Sequence, residues 1–284
     1  MKKVIIFCLT LASSVALSQE LKSKKGENYL PEAKDCALQI DAVPFLDYTG
    51  KLLSNTGASS PSIASPAFAP FTIGGKYFTS NTFAYRAKLR IGAVSSTVKN
   101  SVINNSKTTA DTVYTSDSRN IKNTNITVSF GFEKRRGKTR LQGYYGAEGF
   151  LKIAGGGSKY SYGNSFTSDN PSVFTTDFNT IAATGYANSL QQSRIVQTKN
   201  GTTFGLGARA FFGVEYFIFP KISLGAELGW GVSYMNTNDG FVKHERWDNA
   251  NLTTVRKNTP LAGNSSFGVD TDNTGGQILL SFHF

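Results

Sequence analysis

An all-β chain, closed into an up-and-down antiparallel barrel that crosses a membrane with its strands, is the fold class this sequence predicts, with eight strands as the expected number. Three observations carry it. Apolar and polar residues alternate at period two over many segments, and beyond the N-terminus no stretch offers the run of about 18 apolar residues that a spanning helix needs. The connections between those segments alternate long and short. The chain ends GGQILLSFHF, with Ile278, Leu280, Phe282 and Phe284 on one face, Gln277, Ser281 and His283 on the other, and Leu279 as the exception.

The N-terminus, MKKVIIFCLTLASSVALSQE, carries Lys2 and Lys3, an apolar run from Val4 to Leu11 broken only by Thr10, and small residues Ala16 and Ser18. That pattern predicts a secretory signal peptide over 1–18, cleaved after Ser18 and too short to span a membrane. Cleavage removes Cys8, which lacks a lipoprotein-box context, and leaves Cys36 with no partner for an internal disulfide. With Lys2 and Lys3 gone, 28 cations stand against 19 acids, a net charge of +9. In an exported chain such a balance points to anionic lipid headgroups or polysaccharide rather than to nucleic acid.

Residues 19–35 are polar and basic with Pro31, and read as a periplasmic lead-in that is mobile to about Asn28. The barrel is expected over 36–284. Leu38, Ile40 and Ala42 alternate with Gln39 and Asp41 in the first strand, until Pro44 forces a bulge or an exit from the ladder. A long loop follows at 49–70. The second strand, Phe71 to Phe78, has Phe71, Ile73 and Tyr77 on its apolar face and turns tightly at Thr79–Thr82. In the third, Phe83 to Val98, the residues Phe83, Tyr85, Ala87, Leu89 and Ile91 alternate with Arg86, Lys88 and Arg90. Each of those cations would cost about 2–4 kcal/mol facing mid-membrane lipid, so they point inward.

A second loop is expected at 99–120. The fourth strand shows Ile126, Val128, Phe130 and Phe132 on its outer face and ends in a basic solvated turn, Lys134–Lys138. The fifth, Thr139 to Ile153, places Leu141, Tyr145, Ala147 and Leu151 outward and Gln142, Tyr144, Glu148 and Lys152 inward. The longest loop, 154–200, contains Gly155–Gly157, which lacks the GxxxxGK[ST] pattern of a phosphate loop. It also holds Tyr160, Tyr162, Phe166, Phe174, Phe178 and Tyr186, which, with Trp247 of the last loop, are the candidate binding aromatics; packing into a small core of their own is the alternative.

Strands six and seven, Phe204 to Tyr216 and Ile222 to Tyr234, alternate large apolar residues with Gly, Ser and charge around a turn at Phe219–Lys221. Frequent inward glycine suits a narrow barrel. The last loop, 237–272, carries Trp247 and His244, and the terminal strand completes the set. Long connections outside and tight turns in the periplasm give the chain its orientation.

From signal peptide to Phe284 the chain resembles the OmpA/OmpX-like eight-stranded outer-membrane barrels, and within them the outer-membrane β-barrel proteins of the Bacteroidota. The resemblance is carried by FAYRAKLRIG at Phe83–Gly92, FGLGARAFFGVEY at Phe204–Tyr216, the ending QILLSFHF and the lead-in GENYLPEA at Gly26–Ala33. It implies the cell outer membrane as location, its lipids and the barrel-assembly machinery as partners, and Phe282 and Phe284 as the assembly signal. The expected role is structural or surface-binding, in adhesion or assembly, carried by the long loops toward an extracellular ligand or partner outer-membrane proteins. Adhesins, anchors and lipid-modifying enzymes share this architecture, so the fold does not choose among them.

The most organised polar set is inward: Lys76, Arg86, Lys88, Arg90, Lys152 and Arg209 against Asp41, Glu133, Glu148, Glu215 and Glu227. Eight strands leave room for side chains to fill, and near balance of sign predicts a mutually paired core closing the lumen; a narrow gated ion path is the alternative. An enzyme is not expected. Lipid A-modifying barrels use His, Ser and a carboxylate at the outer rim, whereas His283 falls at the periplasmic end and His244 has no triad spacing. With one mature Cys and two His, no metal-ligand spacing exists, and no cofactor is expected.

Overall fold

The computed structural model describes residues 22–42, 71–105, 113–182, 185–271 and 277–284. The predicted signal segment 1–18, Pro44 and the connection at 49–70 lie outside the described residues. Among those described there are fourteen strands and no helix. The first seven are β1 (Cys36–Asp41), β2 (Phe71–Ser80), β3 (Phe83–Ile103), β4 (Tyr114–Arg136), β5 (Leu141–Ser161), β6 (Val173–Ala182) and β7 (Gly185–Gln191). The others are β8 (Ser193–Lys199), β9 (Thr203–Phe219), β10 (Ile222–Thr237), β11 (Gly240–Asp248), β12 (Thr253–Leu261), β13 (Asn264–Thr271) and β14 (Gln277–His283).

Every ladder is antiparallel, and the ladders return to their start. From β1 the pairing runs through β2, β3, β4 and β5 to β9, then through β10 and β14 back to β1. A closed circuit leaves no unpaired edge along those stretches. Its side chains alternate as the pleat dictates: Leu38, Ile73, Leu89, Phe130, Leu151, Leu206 and Trp230 are exposed on the outside, while Lys76, Arg86, Glu133, Glu215 and Glu227 are buried inside. This reverses the usual distribution, in which apolar residues are inside and ions are at the surface.

Three two-to-four-residue turns close one end of the circuit. Asn81 and Thr82 join β2 to β3, Gly137 to Arg140 join β4 to β5, and Pro220 and Lys221 join β9 to β10. Gly137 has φ +121°, a conformation that a side chain disfavours, and marks where strand gives way to turn. The lead-in packs on this end. Lys22 and Asn28 pair in a short bridge, the Arg140 guanidinium lies 3.7 Å over the Tyr29 ring, and Ala33 N–H donates to Asn81 at 3.0 Å. Lys221 reaches Tyr29 through its backbone and Asp35 through its ammonium. The contacts with all three turns are made from Tyr29 onward, beyond the stretch to Asn28 for which mobility was expected; before it, Lys22 to Asn28 bond within the lead-in.

Three segments expected as loops hold strand. β3 continues to Ile103 and β4 starts at Tyr114, within the 99–120 stretch; 154–200 contains the end of β5 and all of β6, β7 and β8; 237–272 contains β11, β12 and β13. The physical reason is solvent. Period-two hydrophobicity appears only where the two faces of a strand meet different surroundings; most of these strands show no sustained apolar face, and β13 shows only Phe267 and Val269, beside Tyr234 and Val232 of β10.

Beyond the circuit the sheet forks. β5 pairs with β9 up to Ala154 opposite Thr203, and from Gly157 opposite Lys199 it pairs with β8 instead. β8 then pairs with β11, and β11 with β12. A Cβ on Gly157 would collide with the backbone carbonyl of Thr198, so the close approach of β8 requires glycine there. β13 and β14 share one edge of β10, against Trp230–Thr237 and Ile222–Glu227 respectively.

Candidate functional site

The site is the inner face of the circuit near its turn end. β2 and β3 contribute Lys76, Arg86 and Lys88; β4 contributes Glu133 and Arg135; β5 gives Glu148, β9 gives Arg209 and Glu215, and β10 gives Glu227. Inward side chains two residues apart on neighbouring strands fall into rows, so ions of opposite sign meet across the lumen.

Glu133 accepts from Lys76 at 2.8 Å and lies 3.5 Å from Arg86 and 3.7 Å from Arg135. Glu227 takes three cations: Arg86 at 2.8 Å, Lys88 at 3.1 Å and Arg209 at 2.8 Å. Glu148 takes Arg209 at 3.0 Å, Arg86 at 3.3 Å and Lys88 at 3.5 Å. Glu215 meets Arg135 and lies 3.9 Å from Lys76. Arg86 therefore ties three carboxylates together, and its guanidinium also stacks 4.0 Å over the Phe211 ring. Inner-wall glycines make room for this: a Cβ at Gly229 would strike the Arg209 guanidinium, and one at Gly213 the Tyr144 ring.

Of the residues singled out from sequence, Lys76, Arg86, Lys88, Arg209, Glu148, Glu215 and Glu227 come together in this network, with Glu133. Arg90 and Lys152 do not. They line a cavity of about 330 Å³ further from the turns, whose wall also includes Lys88, Glu148 and Arg209. Asp41 is half-buried on the same face of β1 as Gln39.

Arg135 corrects the reading of Lys134–Lys138 as a solvated turn. Its side chain is 1% exposed, because β4 extends through Arg136 and the parity that turns Glu133 inward turns Arg135 inward as well.

A second unforeseen group lies at the very base. Ser223 Oγ donates to Glu215, and His283 Nε2 lies 3.3 Å from Ser223 Oγ and 3.4 Å from Glu215 Oε1. The residue types are those of an acyl-transfer triad, but the carboxylate sits on the same ring nitrogen as the hydroxyl rather than on the opposite one, where it would orient the base. The ring is wedged between Phe78 at 5.6 Å and Phe217 at 5.3 Å, both fully buried. The cluster packs at the base of the ion network.

The candidate binding aromatics gather where the ends of β5, β8 and β11 meet the separate two-stranded sheet of β6 and β7 and the loop before it. Tyr160 stacks on Tyr162 at 6.3 Å and packs tilted against Phe178 at 5.9 Å, as Phe178 does against Tyr186 at 5.3 Å. Phe166 and Phe178 are buried, Phe174 and Trp247 half-buried. Arg194 lies over both Tyr162, at 4.2 Å, and Phe166, at 4.7 Å, and pairs with Glu245 at 2.8 Å; Glu245 also takes Arg256 at 3.1 Å. Burial pushes the Tyr162 phenol up, and its hydroxyl donates to Ile195 O at 2.5 Å. These rings are spent largely on one another. His244, opposite Lys257 and Ile195 on β11, is half-buried. Among the described residues no group of His, Cys, Asp and Glu is arranged to hold a metal ion.

No family model and no curated protein matches the sequence. Among solved structures the chain is similar to the outer membrane protein OprG from Pseudomonas aeruginosa, at 9% identity and a TM-score of 0.27, over 90% of this chain and 98% of that one. So slight a likeness carries no argument, and the class assigned here, an all-β antiparallel sheet closed on itself around ions, rests on the ladders alone.

Proposed function

We propose that the chain is an integral outer-membrane barrel of eight strands, β1 to β5 with β9, β10 and β14, whose lumen is shut by its own charges and whose projecting strands act in structure or surface binding. One observation carries this reading: the outward apolar residues form an unbroken ring. Leu280 faces Ile40, Ile40 faces Ile73, Ile73 faces Leu89, Leu89 faces Val128, Val128 faces Leu151, Leu151 faces Leu206, Leu206 faces Tyr234 on β10, and β10 returns to β14 lower down, where Leu224 faces Leu280. A hydrocarbon solvent makes such a surface favourable on all sides of the circuit at once. From Leu206 to Tyr216 the band on β9 is about 24 Å tall at a tilt of about 45°, against about 25 Å for known barrels.

In this reading the tight turns and the lead-in are periplasmic and the projecting sheet is extracellular. The resemblance to Bacteroidota barrels supports the same placement, with export by the N-terminal segment and insertion by the barrel-assembly machinery through Phe282 and Phe284. A purified sample folded into detergent micelles should migrate differently on a gel before and after boiling, and should insert into liposomes. A monomer soluble without detergent and indifferent to boiling would overturn the proposal.

A second reading, a small gated pore, is favoured by the cavity beside Arg90 and Lys152, which gives the outer half of the lumen a basic lining. Planar-bilayer recordings decide between them. The stopper reading expects no stable, well-populated open state.

A further inference from the structure

We propose that the cleft where β5 leaves β9 for β8 binds the phosphorylated headgroup of an outer-leaflet lipid; this rests on the membrane reading above. The cleft has a volume of about 410 Å³ and includes Lys122, Lys159 and Lys199 in its wall, with no acidic residue. All three lysines are exposed, and among the described residues none of them has an ion-pair partner. The register converges them. Lys122 and Lys199 both stand opposite Gly157, on either side of it, which puts their Cα atoms about 10 Å apart, and Lys159 follows two residues further along the same face of β5.

Position then selects the ligand. Lys122 lies on the outward face of β4 with Ile126 and Val128, and Ile153 of the apolar ring is itself part of the cleft wall. At a tilt of about 45°, Lys122 and Lys199 therefore sit about 10 Å above the last apolar row, with Lys159 a little further out, at the depth of the headgroup layer. An apolar lower lip below three ammonium groups complements an amphiphile: a phosphate accepts from the lysines while its acyl chains run down the ring. A free anion would use the lysines only and leave Ile153 uncovered. Space is available without strain, since a Cβ at Gly155 would meet nothing nearer than Thr202 at 3.8 Å.

The test is native mass spectrometry of the detergent-folded barrel mixed with equal amounts of a phosphatidic acid and a phosphatidylcholine. The wild type should retain the phosphomonoester lipid over the zwitterionic one by on the order of tenfold. K122Q/K199Q should bring the ratio near one, and G155V, which fills the cleft without touching a charge, should do the same. Millimolar inorganic phosphate should not displace the lipid. Equal retention by the wild type, or undiminished preference in both variants, overturns the site; displacement by inorganic phosphate overturns the lipid and leaves a simple anion site. Gel migration before and after boiling is read on every sample. Loss of that shift in the wild type would instead overturn the membrane reading, and the headgroup site with it.

Discussion

Cys36 and Phe284 exchange both backbone hydrogen bonds: the Cys36 amide donates to Phe284 O at 2.8 Å, and the Phe284 amide donates to Cys36 O at 2.9 Å. The last residue of the chain is therefore the partner of the first residue of β1, and this pair ends the seam where the sheet closes. Each bond contributes about 0.5–1.5 kcal/mol net, more where lipid leaves an unpaired amide no alternative. Deleting Phe284 should lower the fraction of protein recovered in the outer membrane in its unboiled, fast-migrating form, and lower it more than Phe284→Ala, which keeps both bonds. Equal recovery of the deletion and the wild type would show that seam closure does not depend on the terminal residue.

Glu227 is the acid on which the lumen depends most, with Arg86, Lys88 and Arg209 all within 3.1 Å. Removing one carboxylate charge there leaves three buried cations short of a partner. Glu227→Gln should destabilise the folded barrel by about 3–5 kcal/mol, the range for breaking a buried pair. Glu148→Gln should cost less, because that side chain lies at the cavity wall, where water can reach its cations. Urea unfolding of both variants in micelles measures the difference. Equal losses would mean that water shields the two acids alike.

How far these features were legible depends on whether a strand's faces meet different solvents. In FAYRAKLRIG and FGLGARAFFGVEY one face meets the outside of the circuit and the other the ions, so alternation betrays strand and orientation together, and inward Arg86, Lys88 and Arg209 follow from parity. Arg135 was hidden because KRRGK has the composition of a turn, while the turn itself begins at Gly137 with its φ of +121°. The projecting strands β6 to β8, β11 and β12 escaped for lack of a sustained apolar face, and β13 because its own face is only Phe267 and Val269. Neither the Ser223, His283 and Glu215 cluster nor the lysine cleft has any local signal. Both are made by register between distant segments, the second by β5 changing partner at Gly155–Gly157.

The projecting sheet has its own keystone in Arg194, which is buried, stacked on Tyr162 and Phe166 and paired with Glu245. A planar guanidinium is needed for stacking and two-nitrogen contact at once, so Arg194→Lys is not conservative. The expected result is faster protease cleavage between β5 and β12 by about tenfold, since a loss of about 1.4 kcal/mol raises the open population by that factor. The boiling-dependent gel shift of the barrel should be unchanged, because Arg194 contributes nothing to the closed circuit. Simultaneous loss of both would show that sheet and barrel fold as one unit.

The lead-in tests where the seal lies. Tyr29 under Arg140, Asp35 on Lys221 and Ala33 on Asn81 brace the three turns from below, yet every residue of the ion network belongs to a wall strand. Deleting residues 22–33 should therefore lower the midpoint of thermal unfolding in micelles while leaving bilayer recordings silent. Arg86→Ala should do the converse in part: it opens space between Glu133, Glu148 and Glu227, leaves those three acids facing Lys76, Lys88 and Arg209, and should give current fluctuations in the fraction that still folds. If the lead-in deletion conducts and Arg86→Ala does not, the seal is the lead-in and the ion network only stiffens the wall.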